Sequence, residues 1–368
     1  MKSKGRHQLP EEVAIPTKYE YDERVNTESI AAVSAFSASV KNTPFSSDLL
    51  SPLFTQKEAE TSSRIEGTDV TFEDVMVDEE TEQGTQKKRD ARREARGVID
   101  AIDAGKSAME KDGLPMTGRV IKRMHKALME SAKLDQGVPG EFRKENVRIG
   151  TRYFPPEPQY VENLMADMER YIHDDTNSTN ISPMVKIAVI HAQFEIIHPF
   201  SDGNGRIGRL LISFLMKEYG LTDDVSYFMS QYFEQHRNEY YNSLEGITRR
   251  GDWSGWINFF LQSVAEHGSE MKNKVDILMR LYTDGQFLAL KNVNSQHIKN
   301  YIFKNPIFTV PSMVRNFERQ GVTLSNKNDM HRILKESPDI DVLAPGKGKR
   351  QTRYRCTKIV ETLQKNNG

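Results

Sequence analysis

Apolar residues recur at helical spacing along most of this chain. The clearest run places Ile207, Leu210, Leu211, Phe214 and Leu215 at i, i+3, i+4, i+7 and i+8, and Gly220 stops it. Upstream, Met184 to Ile197 is apolar on nearly every side, interrupted at Lys186, His191, Gln193 and Glu195, which predicts a central, buried helix. Val120, Ile121, Met124, Leu128 and Met129 give Thr117 to Met129 a core-facing stripe. Further helices are expected over 160–172, 233–247 and 253–281. Nearer the start, residues 1 to about 28 carry Pro10 and Pro16 without a sustained period and read as an extended arm over the body. Between Ile30 and Leu53 apolar residues are short and scattered among Ser and Thr, and Gln56 to Gly67 reads as a helix ended by its glycine. Thr71 with Asp74 resembles a capping box, and Lys87 to Gly105 reads as a strongly charged helix whose apolar face begins at Ala95.

Two stretches depart from this pattern. In Gly140 to Pro158, Val147, Ile149, Tyr153 and Phe154 lie on either side of Gly150, and Pro155-Pro156 closes the segment, which predicts a β-hairpin. After Leu290 come short helices near 295–303, 311–319 and 327–335, then APGKGKRQTRYRCTKIV. Three short helices followed by a basic two-stranded turn is the order of a winged helix-turn-helix. No internal repeat occurs at solenoid periods.

At 368 residues the chain is long for one core, so two or three packed units are expected. Lys plus Arg (51) balance Asp plus Glu (52), giving no global attraction to nucleic acid or an anionic membrane, so any such affinity must be local. The single cysteine, Cys356, makes neither an intrachain disulfide nor a multi-cysteine metal site and reads as structural. The basic N-terminus has no apolar core behind it and no run is long and charge-free enough to span a bilayer, so a cytoplasmic protein is expected.

The chemistry concentrates in HPFSDGNGRIGR, His198 to Arg209. Pro199 disfavours helical backbone at His198, which places the imidazole where a buried helix exits into a loop. Gly203 and Gly205 let the backbone turn sharply and leave amides uncovered toward an anion. The next helix begins at once, so its N-terminal amides face the same space, and Arg206 and Arg209, three apart, project guanidinium forks toward it. This is a cradle for polyphosphate, in which Asp202 can hold a hard divalent cation and His198 can take a proton from an attacking hydroxyl.

His-Pro-Phe-x-Asp-Gly-Asn-Gly-Arg-x-x-Arg resembles the full signature of the Fic family, and the likeness extends over roughly residues 10 to 280. The resemblance implies a mainly α fold: a Fic-type helical bundle with a small β-hairpin flap, followed here by the C-terminal winged helix-turn-helix. On that basis residues 1–110 form an N-terminal region with an inhibitory helix at 56–67, 111–285 the catalytic core and 286–368 the winged helix-like part. It further implies a protein adenylyltransferase that moves AMP from ATP to a Ser, Thr or Tyr hydroxyl of a target protein and of itself. His198 is then the general base, Asp202 the Mg2+ ligand, Asn204 with its neighbouring amides the anion hole, and Arg206 and Arg209 the β/γ-phosphate clamp. The implied ATP site also includes Gly203, Gly205, Ile207 and Gly208, with Ile149 and Gly150 of the flap above the nucleotide. Gly205 stands where the related Doc-type phosphotransferases carry a lysine, which favours AMP over phosphate transfer. Tyr240 and Tyr241 match the family's adenine-flanking pair, with core aromatics as the alternative reading. The flap over 146–156 would align a target segment by β-augmentation, an ordinary surface hairpin being the alternative.

Ser62-Ser63-Arg64-Ile65-Glu66-Gly67 resembles the family's inhibitory motif. Glu66 ends its helix where the macrodipole disfavours a carboxylate, so a cationic partner is needed, and Arg209 is the candidate. Such a pair would deny the γ-phosphate its clamp. Two other functions stay open: removal of AMP at the same site, with Glu66 positioning water, and DNA-binding regulation through 325–355, where Lys347, Lys349, Arg350, Arg353 and Arg355 cluster. A homodimer is also left open, and no membrane partner is expected.

Overall fold

Residues Pro183–Ile197 form a helix buried on almost every side, and the rest of the molecule is arranged around it. Ser182 caps its start by accepting from the Met184 amide, with Pro183 preset for the first turn. Two of its polar residues reach neighbouring elements: Gln193 donates to the Val13 carbonyl (2.8 Å), and Lys186 lies over the rings of Tyr171 and Tyr219. The Ala188 carbonyl takes the indole N–H of Trp256 (2.8 Å). The computed structural model describes residues 7–43, 49–76, 85–133, 136–150, 153–174, 181–290, 294–322, 327–346 and 351–365.

In chain order the helices up to residue 283 are α1 (Glu23–Lys41), α2 (Ser51–Ile65), α3 (Phe72–Val75), α4 (Gln86–Lys106), α5 (Gly118–Ala132), α6 (Pro158–His173), α7 (Pro183–Ile197), α8 (Asn204–Glu218), α9 (Ser230–Gln235), α10 (Arg237–Arg250) and α11 (Trp253–Thr283). The mainly helical character agrees with the sequence reading, with three local differences. First, α1 covers the stretch that looked irregular. Its buried positions are Asn26, Ser29, Val33 and Phe36, so half of its inward face is polar and its apolar period is weak. It docks on α11 through small residues and hydroxyls: a Cβ on Gly268 would lie 2.8 Å from the Ala32 Cβ, and Ser39 donates to Asp276 (2.6 Å). Second, α2 begins at Ser51 instead of Gln56, because Pro52 starts the helix and Leu53 and Phe54 bury in its first turn. Third, the helix expected over 233–247 is two helices, α9 and α10, divided at His236 (φ −104°, ψ 35°). The Thr71–Asp74 capping box is present and caps α3.

The predicted hairpin reduces, among the described residues, to a single antiparallel bridge between Ile149 and Tyr153 around Gly150 (φ +56°). Thr151 and Arg152 lie outside the described residues. Beyond α11 come α12 (Ser295–Lys304), β1 (Ile307–Thr309), α13 (Val310–Arg319), α14 (Lys327–Glu336), β2 (Ile340–Ala344), β3 (Arg353–Cys356) and α15 (Thr357–Gln364). The strands pair antiparallel in the order β1-β3-β2, with Tyr354 opposite Phe308 on one side and Val342 on the other. The sequence reading had two strands here, and the three-residue β1 is too short to show a period. Lys347, Lys349 and Arg350 lie outside the described residues. Cys356 is buried, and burial pushes its thiol up to about 12, which leaves it unreactive near neutral pH. No helix among the described residues is long and apolar enough to cross a membrane.

Phe36 is fully buried and meets Phe54 and Tyr227 edge-on at 6.0 and 5.2 Å between centroids. Phe36→Ala should cost about 3–5 kcal/mol in urea unfolding. A loss below about 1 kcal/mol would show that α1 is not part of the common core.

Candidate active site

The C-terminus of α7 and the N-terminus of α8 face each other across the loop 198–203. His198 caps α7 in a left-handed conformation (φ 51°, ψ 62°), its amide still bonded to the Phe194 carbonyl (2.9 Å). This backbone turns the half-buried imidazole out of the helix line. Burial lowers the imidazole pKa to about 4, and the nearby Arg143 guanidinium works in the same direction. The ring is therefore neutral at physiological pH and able to accept a proton.

Within the loop, Phe200 is fully buried and the Asn204 side chain clamps it, accepting from the Phe200 amide and donating to its carbonyl, both at 2.8 Å. The Asn204 side chain thereby fixes the loop through its oxygen and one of its two N–H groups. Gly203 (φ +80°) turns the chain into α8, and Asp202 Oδ1 accepts from the Gly203 amide (2.5 Å) and from Arg206 (3.1 Å). Arg206 is nearly fully buried and also faces Glu94 at 3.5 Å.

Arg209 is 1% exposed. Its Nε and Nη2 donate to Ser62 Oγ (3.2 and 3.1 Å), and Nη2 also reaches the Ser62 carbonyl (3.0 Å) and Glu66 Oε1 (2.8 Å). Ser62 and Glu66, one turn apart, thus hold the guanidinium between α2 and α8. Gly205 makes the contact fit, because a Cβ there would collide with Glu66 Oε1. Burial alone would raise the Glu66 carboxyl, but the charge and hydrogen bond of Arg209 outweigh it and hold the pKa below the usual range. Two further carboxyls feel the same guanidinium, yet burial dominates there and pushes Glu58 and Glu195 up to about 7. Glu66 is therefore the charged partner of Arg209.

Residues 25–110 match the Fic/DOC family N-terminal region, and residues 115–216 match the Fic/DOC family. The chain belongs to the Fic/DOC family. Protein adenylyltransferase fic-1 of Caenorhabditis elegans is 31% identical over 147 residues, 40% of this chain and 26% of that protein. A probable protein adenylyltransferase of Aquifex aeolicus is 39% identical over 85 residues, 23% of this chain and 26% of its own. The matched stretch is about a quarter of the length of these curated relatives. In fold, the chain resembles a Fic family protein from Desulfovibrio desulfuricans, with a TM-score of 0.55 at 19% identity over 90% of this chain and 95% of that one.

The structure brings His198, Asp202, Gly203, Asn204, Gly205, Arg206, Ile207, Gly208 and Arg209 of this Fic loop together with Glu66. The two tyrosines separate. Tyr240 is 1% exposed, and its hydroxyl meets His191 Nε2 (3.0 Å), which makes it a core residue because its ring has no face left for a base. Tyr241 is exposed and lies beneath Arg237. Ile149 and Gly150 sit at the bridge described above.

Two residues that the sequence reading passed over fasten this Fic site. Arg143 donates from one buried guanidinium to the carbonyls of His198 (2.8 Å), Glu145 (3.1 Å), Pro156 (2.5 Å) and Ile197 (3.3 Å), and its own amide reaches Pro199 (2.9 Å). It ties the His198 turn to the base of the flap. His125 stacks on Phe200 at 3.7 Å and joins Gly140 to Asp202. Because the Gly140 amide can only donate, His125 Nδ1 accepts and Nε2–H donates to the Asp202 carbonyl (3.0 Å). The same logic makes His191 donate from Nδ1 to the Gly208 carbonyl (2.8 Å).

Burial lowers His125 to about 4 and His191 to about 3. Nitrogen-15 NMR at pH 6 should therefore show both rings neutral, with the proton on Nε2 of His125 and on Nδ1 of His191. The folded chain refuses protons that the unfolded chain accepts near pH 6.5, so the contributions to stability decline as pH falls from there toward 4 for His125 and toward 3 for His191. An imidazolium signal from either ring at pH 6 would contradict the assignment.

Proposed function

We propose that this site transfers AMP from ATP to a hydroxyl side chain of a protein, this chain included. The observation that carries the reading is His198 at the end of α7, one short loop from the N-terminus of α8 with its buried Arg206 and Arg209. In the transfer, the target hydroxyl oxygen attacks the α-phosphorus, the bond to the β-phosphate breaks and pyrophosphate leaves. The hydroxyl proton passes to His198, which stands neutral to receive it. The N-terminal amides of α8 face the phosphates, with Arg206 and Arg209 as the clamp on the leaving pyrophosphate. Asp202 fits a Mg2+ site, since this ion is commonly held by one carboxylate plus substrate phosphates, and the Gly203 amide and Arg206 orient the carboxylate through its Oδ1. Bound there, Mg2+ would neutralise phosphate charge.

The names of the curated relatives support adenylyl transfer, and Gly205 supports it over phosphate transfer. The target segment would dock along 146–156. In the resting chain Glu66 occupies Arg209, and we read this as an internal brake. The same carboxylate is charged and one-third exposed, which suits orientation of a water for the reverse removal of AMP. The proposal includes the division into 1–110, 111–285 and 286–368, the last as a winged helix-like unit. DNA contact through 325–355 draws less support, because Arg355 turns inward to Glu73 (3.4 Å).

Incubation with α-labelled ATP and Mg2+ followed by mass spectrometry should find an AMP adduct on protein. A phosphate adduct would redirect the assignment. His198→Ala should lower transfer by about 10²–10⁴-fold while ATP binding changes little, because the imidazole acts on the hydroxyl and not on the phosphates. Transfer at the parental rate in that variant would remove His198 from the mechanism.

A further inference from the structure

The last carbonyls of a helix have no amide of a following turn to accept from, and those at the end of α2 find partners in two ways. Within the chain, the Ser63 carbonyl accepts from the amides of Glu66 and Thr68 (3.1 Å each), and the Arg64 carbonyl accepts from Gly67 (3.0 Å). The other two are met by guanidinium groups from separate helices. Arg209 of α8 reaches the Ser62 carbonyl (3.0 Å), and Arg237, the first residue of α10, donates from Nη2 to the Ile65 carbonyl at 2.6 Å. Ile65 directly precedes Glu66, so Arg237 grips the chain one peptide away from the carboxylate that occupies Arg209. A cation at this place also suits the negative end of the helix dipole. Two further contacts align the same segments: Ser230 Oγ donates to Glu58 (2.5 Å), and Glu234 pairs with Arg64 (2.8 Å). Residues 230, 234 and 237 thus run along 58, 64 and 65, with Arg237 nearest the end of α2. The Tyr241 ring, one turn further along α10, lies 5.8 Å from the Arg237 guanidinium carbon and steadies it.

We propose that Arg237 is a positioning residue for Glu66: by holding the end of α2 it keeps the carboxylate within reach of Arg209. The proposal rests on the reading of Glu66 as an internal brake. Arg237 is exposed, so its hydrogen bond is worth less than the contact between Glu66 and the buried Arg209, and its loss loosens the brake without abolishing it.

The test compares, in the full chain, Arg237→Met, which keeps the apolar stem and loses the donors, with Arg237→Lys, which restores a cationic donor. Self-modification with labelled ATP should rise about two- to tenfold in Arg237→Met and fall back toward the parental rate in Arg237→Lys. In a Glu66→Gly background Arg237→Met should add nothing, because no carboxylate is left to position. Hydrogen exchange of the unliganded chain gives a readout that needs no chemistry: amides 66–68 should exchange faster in Arg237→Met, while those of α8 stay protected. Unchanged exchange, a loss of transfer in Arg237→Met, or a gain that persists undiminished in the Glu66→Gly background would each overturn the proposal. Absence of any gain in Glu66→Gly would bring down the brake instead, and the exchange result would then decide alone whether Arg237 fixes the end of α2.

Discussion

A guanidinium with 1% of its surface exposed needs an opposite charge beside it, and for Arg209 that charge comes from another helix, at Glu66 2.8 Å away. Only the arginine side of the pair is buried, the Glu66 side chain being one-third exposed, so the contact holds α2 against α8 while leaving the carboxylate open to solvent on one side. Several features of the sequence make sense around it. Ser62 supplies a hydroxyl and a carbonyl to the same fork, Gly205 clears the space that the carboxylate enters, and Gly67 (φ +93°) ends α2 immediately after Glu66. The pairing also separates three neighbouring carboxyls, leaving Glu66 charged while burial keeps Glu58 and Glu195 near 7.

The loop opposite is rigid for a different reason. Side chains from outside the loop hold its backbone: Asn204 at Phe200, His125 at Asp202, and Arg143 at the His198 and Ile197 carbonyls. Backbone held in this way keeps the amides at the start of α8 aimed at one place before any anion arrives, which is how preorganised sites avoid reorganisation when charge develops. His198 and the amides at the start of α8 are thereby held in one relation, while Glu66 comes from a separate helix.

The loop from His198 to Arg209 was readable because its residues are contiguous and their roles follow from local geometry. Glu66 was readable because a carboxylate at a helix end calls for a distant cation. Arg143 and His125 were not readable in the same way. Their partners are carbonyls and amides remote in sequence, and a lone histidine within the apolar stripe of α5 looks like an ordinary core residue. α1 was missed because half its buried face is polar, and the break at His236 because no glycine or proline marks it. Tyr240 and Tyr241 were undecidable from sequence, since an aromatic on an amphipathic helix packs inward or outward according to what lies against it.

Self-modification with labelled ATP in parental, Glu66→Gly and Glu66→Gly/Arg209→Ala proteins tests directly whether Glu66 restrains Arg209. A charged hydrogen-bonded pair is worth roughly 1.5–3 kcal/mol, so the single variant should gain about tenfold to a hundredfold in AMP transfer, and the double variant should lose that gain. No gain in the single variant, or an equal gain in the double, would contradict a brake built on the Glu66–Arg209 contact.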